Sequence, residues 1–369
     1  MSPVHSLDRR SFLLSAGAAF TSVLSKPSHA ALVTSETVFA SAIRSEDGSY
    51  GLLLFGEYGD EITRLSLPTR GHDIAFSADG HKGVVFARRP GNFALVFDVT
   101  NKKAPLAIAT PPNRHFYGHG VFSKDGKLLY ASENDFENAV GVIGIYDATD
   151  SFKRIGEFSS YGIGPHEILL HPQENILIVA NGGIETHPDF GRAKLNIPQM
   201  QSSLTFIDLE SGALIERHGL PNAYQKLSIR HMDVSQTGKI VFGCQYEGSK
   251  TNTPPLIGSV EMGEQLTLWN TPKKELRAFA NYVGSVALNL HTKQAAITLP
   301  KGNKVAIYSM DTKSLVHVVQ KPQSFGISND KNGFLYTTAT GIAGSVLSQK
   351  KQQYSGIAFD NHVNTVLRP

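Results

Sequence analysis

The 369-residue chain has one cysteine, Cys244, and one tryptophan, Trp269. A single thiol excludes an intrachain disulfide, a CxxCH haem attachment, a Cys-held iron–sulfur cluster and a multi-cysteine zinc site. Any metal held here must therefore be bound by nitrogen and oxygen. A single tryptophan excludes a WD40 array, which places a Trp-Asp pair in each repeat. Charged residues are also scarce, 18% of the chain, which points to many turns and few long solvated helices. The formal charge is +3, but the first 30 residues carry Arg9, Arg10 and Lys26 against Asp8 alone. Without them Lys+Arg is 32 and Asp+Glu 31, so no basic surplus remains for a nucleic acid. There is no P-loop, dinucleotide glycine fingerprint, nucleophile elbow or helix-borne zinc motif, so no nucleotide cofactor is expected. No run reaches the ~20 apolar residues of a spanning helix.

What is present begins with Ser6-Leu7-Asp8-Arg9-Arg10-Ser11-Phe12-Leu13-Leu14, the apolar Ala16–Leu24, and Ser28-His29-Ala30. A charged start, a short apolar stretch and a small-x-small end make a secretory signal peptide. The twin arginine resembles the Tat export signal. Residues 1–30 are thus expected to be a Tat-type signal peptide, cleaved after Ala30, and 31–369 a single domain in the periplasm without a membrane span.

Beyond residue 31, short β-type runs alternate with Gly, Asp and Asn turns. A weak repeat emerges when the turns are stacked. His72-Asp-Ile-Ala-Phe-Ser-Ala-Asp-Gly80 matches His119-Gly-Val-Phe-Ser-Lys-Asp-Gly126, and copies start at His166, His231, Ser285, Ser324 and Ser355. Four strands every ~40–50 residues make one β-propeller blade. Seven copies argue for an all-β, seven-bladed β-propeller, with six or eight blades as the alternatives. Thr37–Pro68 supplies only three convincing strands, and Gly356–Phe359 has no blade after it. The C-terminal strand is therefore expected to complete the N-terminal blade and close the ring.

In a propeller, loops leading into the first strand share a face with loops joining the second strand to the third. The opposite turns are bland (Ala78-Asp79-Gly80, Lys124-Asp125-Gly126), whereas the shared face collects the unusual residues. Its candidate metal ligands are His72, His115, His119, His166, His187 and His231. Its candidate ligand-binding residues are Arg88, Arg89, Arg114, Glu133, Asp135, Glu167, Arg230 and Tyr246. Imidazoles with carboxylates suit a transition metal such as iron or copper. The arginines favour a carboxylate or phosphate-like anion, and a metal chelate would satisfy both. One irregularity stands out. The strand ends at Ser77 and His171 lie five positions beyond His72 and His166, but the corresponding spacing after His119 and His231 is four. With a period of two, a symmetric ring of histidines would then require a bulge.

Arg88-Arg-Pro-Gly91, Arg114-His-Phe-Tyr-Gly-His-Gly120, Gly164-Pro-His-Glu167, Asn181-Gly-Gly-Ile184, Ser228-Ile-Arg-His231 and Asp360-Asn-His362 resemble stretches of a bacterial family known as domain of unknown function 1513. The resemblance spans the mature chain and implies a Tat-exported, propeller-like periplasmic protein. It also implies genes placed beside those of imelysin-type and other iron-uptake proteins, which would be the partners. It supplies no catalytic residues. The leading expectation is an accessory or binding protein in iron or other transition-metal uptake. The alternatives are a metal-dependent, lactonase-like hydrolase or an oxidoreductase, and an interaction platform without metal.

Overall fold

The computed structural model describes residues 35–366, apart from 36, 58, 89, 90, 100–102 and 332. The expected signal peptide and Arg89 lie outside the described residues. The chain forms seven antiparallel sheets arranged as seven blades around a central channel. No described helix is long and apolar enough to cross a membrane.

The first blade contains Val38–Ser45, Tyr50–Gly56 and Glu61–Leu67, the three strands expected there. Its innermost position is filled from the C-terminus. Ile357–Phe359 pairs with Ile43–Ser45, and Asn364–Val366 pairs with Val38–Ala40. The closure foreseen from the sequence is therefore present, but in two short pieces with residues 360–363 looping out between them. Blades two to seven each have four strands. Their innermost strands are Gly71–Phe76, Arg114–Phe122, Pro165–Leu170, Leu227–Val234, Ser285–Asn289 and Ser324–Asp330.

Alternation explains how the blades stack. Successive side chains of a strand point to opposite faces, and in the inner strands both faces are covered by a neighbouring blade. In the second blade Ile74, Val85 and Leu95 pack toward the first blade. Their neighbours Ala75, Val84 and Ala94 pack toward the third. The strands consequently read as near-continuous apolar runs. Cys244 is one such core residue, between blades four, five and six, and burial pushes its thiol pKa up. Outer strands have one covered face only, as in Lys153–Ser159, where exposed and half-buried residues alternate.

The closing segment packs through Phe359, whose ring lies 5.7 Å from Phe55 and 5.5 Å from Tyr354. Phe359→Ala is expected to destabilise the protein by about 3–5 kcal/mol, the usual cost of deleting a buried aromatic ring. Urea unfolding checks this, and a loss below about 1 kcal/mol would mean that the closing strand contributes little to the ring.

Candidate metal centre

Five histidines meet at one end of the channel because the inner strands are bulged there. In the second blade Gly71 pairs with Ala87 and Ile74 with Val85, leaving His72 and Asp73 opposite Phe86 alone. In the fourth, His166 and Glu167 likewise share one position opposite Ala180. In the third, Tyr117, Gly118 and His119 face Ser132. In the fifth, the shift falls at Arg230, just before His231. Bulges of different size remove the five-against-four spacing conflict and turn all four histidines inward. The fifth, His362, comes from the loop between the two closing segments, where its carbonyl accepts from Ser41 Oγ at 2.6 Å.

Two glycines make room for this arrangement. Gly118 has φ +105°, and a Cβ there would stand 2.5 Å from the His72 ring. A Cβ on Gly326, in the bulge of the seventh blade, would meet the backbone of His362 and Val363 at 3.0 and 2.9 Å.

The rings form a circuit. His362 to His72 is 4.7 Å between centroids, His72 to His119 4.9 Å, and His119 to His166 4.5 Å. His166 to His231 is 4.7 Å, and His231 to His362 closes the circuit at 4.9 Å. All five side chains are buried. Each keeps one buried ring nitrogen without a hydrogen-bond partner: Nδ1 of His72, His166 and His231, and Nε2 of His119 and His362. Donor atoms of His72, His119 and His166 lie within 4.8 Å of one another, as do those of His119, His231 and His362.

His119 belongs to both groups. Its Nδ1 lies 3.0 Å from Asp73 Oδ2, so the ring donates to the carboxylate there and is oriented by it. Asp73 Oδ1 is held in turn by Asn364 Nδ2 at 3.0 Å. Burial pushes the pKa values of His72, His166, His231 and His362 well down; neighbouring imidazoles push the same way, as do arginines for the first three, and prevail over Asp73 at His231 and over Asp73 and Asp360 at His362. These four rings are therefore neutral at pH 7, the state in which imidazole binds a metal. Burial opposes ionisation of Asp73, but contact with His119 prevails and lowers its pKa. Burial raises that of Glu167, whose Oε2 accepts from the Met232 amide at 2.7 Å and stands 3.5 Å from His231 Nδ1.

A funnel opens above the centre, with ≈ 880 Å³ of empty space counting the solvent at its mouth. His72, His166 and His231 lie at its floor, and Arg88, Arg192, Lys194, Arg230, Tyr117 and Tyr282 are among its walls. Asp360 pairs with Arg70 and stands 3.5 Å from Arg88.

Of the candidates read from the sequence, His72, His119, His166, His231, Glu167, Arg88 and Arg230 belong to this centre or its funnel. His115 does not: its Nδ1 lies 2.9 Å from the Phe116 carbonyl, and its Nε2 accepts from Asn134. His187 sits between Phe136 and Phe190 on the 182–200 loop. Tyr246 borders a separate cleft, where its hydroxyl accepts from Asn252. Glu133 is not on a loop, because its strand runs Leu128–Asp135 and carries it inside the third blade. There Tyr146 donates to it at 2.6 Å and Arg154 at 3.0 Å, with Arg114 at 3.6 Å. Arg114 also pairs with Glu157 and approaches Asp135 at 3.4 Å, so this group braces one blade.

Sequence reasoning left out His362 as a ligand, along with Asp73, Arg192, Lys194 and Tyr282. The one signal for His362 was Asp360-Asn-His362 among the family-like stretches.

Glu133→Gln, which breaks a buried ion pair, is expected to cost about 3 kcal/mol while leaving metal content unchanged. Urea unfolding and elemental analysis of the same sample check both halves.

No curated protein matches the chain. Among solved structures it is similar to the Kuenenia stuttgartiensis hydrazine synthase, with a TM-score of 0.59 and 15% identity over 85% of this chain and 94% of that one, a likeness of fold. Residues 65–366, which include all five clustered histidines, match the family described as protein of unknown function DUF1513, and the chain belongs to that family.

Proposed function

We propose that this protein is a transition-metal-binding propeller. His72, His119, His166, His231 and His362 would hold one iron or copper ion, and the protein would serve as an accessory or binding protein in transition-metal uptake. One observation carries the reading: five buried imidazoles converge, each with a buried ring nitrogen that makes no hydrogen bond among the described residues, although carboxylates stand 3.7 Å from that of His72 and 3.5 Å from that of His231. Leaving a buried polar atom unpaired costs about 1–3 kcal/mol, and a metal ion bound to several of them removes that cost. The donor set is nitrogen with nearby carboxylate oxygen, which suits iron, copper or zinc. A single ion is expected because His119 belongs to both three-histidine groups. The twin-arginine start and the family resemblance support a periplasmic site of action, with iron-uptake proteins as partners.

A second reading has its own observation. Three of the histidines lie at the floor of an open funnel, which leaves a coordination position accessible, as in catalytic metal sites. A metal-dependent hydrolase or an oxidoreductase would be built this way, and turnover by metal-loaded protein would favour it.

Elemental analysis of protein purified without affinity-tag chelation is expected to give close to one equivalent of metal. His119→Ala with His166→Ala is expected to abolish binding, and unchanged content in that double variant would overturn the proposal. Asp73→Ala should weaken affinity about 10–100-fold, as for other groups that orient a ligating histidine. A competitive chelator titration measures this.

A further inference from the structure

The funnel has a charge pattern that the histidine centre alone does not require. Four cationic side chains, Arg88, Arg192, Lys194 and Arg230, line it, and no aspartate or glutamate is among its described lining residues. Lys194 is paired with Glu247 and Arg88 with Asp360. Among the described residues, Arg192 and Arg230 have no carboxylate within ion-pair distance. Arg230 Nε donates only to Ser228 Oγ at 3.2 Å. Arg88 is half-buried, and its Nη1 makes no hydrogen bond despite lying 3.5 Å from Asp360. Burial and the cations Arg70 and Arg192 push the Arg88 pKa down, against Asp360.

Cations crowded above an intended cation site are unfavourable unless something negative lies between them. A metal ion would add positive charge to a wall that already has a guanidinium surplus. Guanidinium groups hold carboxylates and phosphates in a planar, bidentate manner. An oxyanion placed in the funnel would meet arginines on its sides and the open face of the metal below.

On this basis, and resting on the metal-binding reading above, we propose that the funnel binds a small oxyanion, held by Arg88 and Arg230 with Arg192 at the rim. Another oxygen of the anion would be free to bind a metal held by the histidines below. The two available chemistries, carboxylate and phosphate, share this geometry and separate in the test. The step would be a ligand exchange without redox change: a metal–solvent bond would break as the metal–oxygen bond to the anion forms, and the solvent would leave through the funnel.

The experiment titrates oxalate, and separately phosphate, into metal-loaded and metal-free protein at constant ionic strength. Calorimetry reads the binding, and the visible or EPR spectrum of a Cu(II)-loaded sample reads the coordination. The expected result is saturable one-to-one binding of at least one of the two anions, with a shift of the copper spectrum. Binding should be at least tenfold tighter to metal-loaded than to metal-free protein, since coupling between the two ligands is reciprocal. Arg230→Gln is expected to weaken anion affinity about tenfold or more, equivalent to about 1.4 kcal/mol, with metal content unchanged. Arg192→Gln, at an exposed position that does not threaten folding, should weaken it in the same direction. A response to oxalate alone identifies a carboxylate ligand, and a response to phosphate alone identifies a phosphate-type one. Equal affinity with and without metal, an unshifted copper spectrum, or undiminished affinity in both arginine variants would overturn the proposal. Failure of the metal-binding reading is seen separately, as absent metal in the untreated protein before any anion is added.

Discussion

The pairing of the C-terminal segments with Val38–Ser45 is the constraint on which both the ring and its centre depend. A propeller of open-ended blades would leave an unpaired inner edge at its first blade, a template for wrong pairing. Here Ile357–Phe359 and Asn364–Val366 cover that edge. The four residues looped out between them carry Asp360 to Arg70 and Arg88 and His362 to the other imidazoles. Asn364 then returns to hold Asp73, the partner of His119. The chain cannot close its ring without also assembling its site. A ligand bound at the histidines would in turn stabilise closure, by about 2.7 kcal/mol at a hundredfold excess over its dissociation constant.

The centre is costly for the apoprotein. A buried nitrogen left without a partner costs about 1–3 kcal/mol, against a net domain stability of about 5–15 kcal/mol. Such a cost is tolerated where the surrounding structure is over-determined. The blades provide this, because each inter-blade boundary is filled with apolar side chains from both neighbours. The inner-strand bulges that place the histidines lie at one end of the channel, and the turns at the other end include ordinary Asp-Gly turns at Asp79-Gly80 and Asp125-Gly126.

Much of this was legible in the sequence. The blade count followed from repeated turns, and four of the five histidines followed from their place ahead of those turns. The reasons for the misses are physical. His115 and His119 lie in one strand, and residue spacing cannot show which of them a three-residue bulge will rotate inward. Glu133 looked like a loop residue because Asn134 and Asp135 read as a turn, yet the strand continues to Asp135 and buries the carboxylate against Tyr146 and Arg154. Strict alternation would point Asp73 to the face opposite His72, and the two-for-one bulge is what lets both reach the centre, Asp73 against His119. His362 has no counterpart in the repeat, because its loop interrupts a strand assembled from two pieces.

The two blades that contribute no histidine explain why the set stops at five. The inner strand of the sixth blade pairs without a register shift, so its side chains stay in the alternating pattern of the blade interfaces. The seventh blade does bulge, but at Phe325 and Gly326. The absence of a side chain at Gly326 is filled by the backbone of His362 and Val363. A histidine in that bulge would occupy the path of the closing segment. The seventh blade thus contributes space where the others contribute a ligand, and the fifth imidazole comes from the segment that uses that space. Any larger residue at position 326 would press on Thr337 Oγ1 and on the backbone of His362 and Val363, and so on the loop that carries the fifth imidazole.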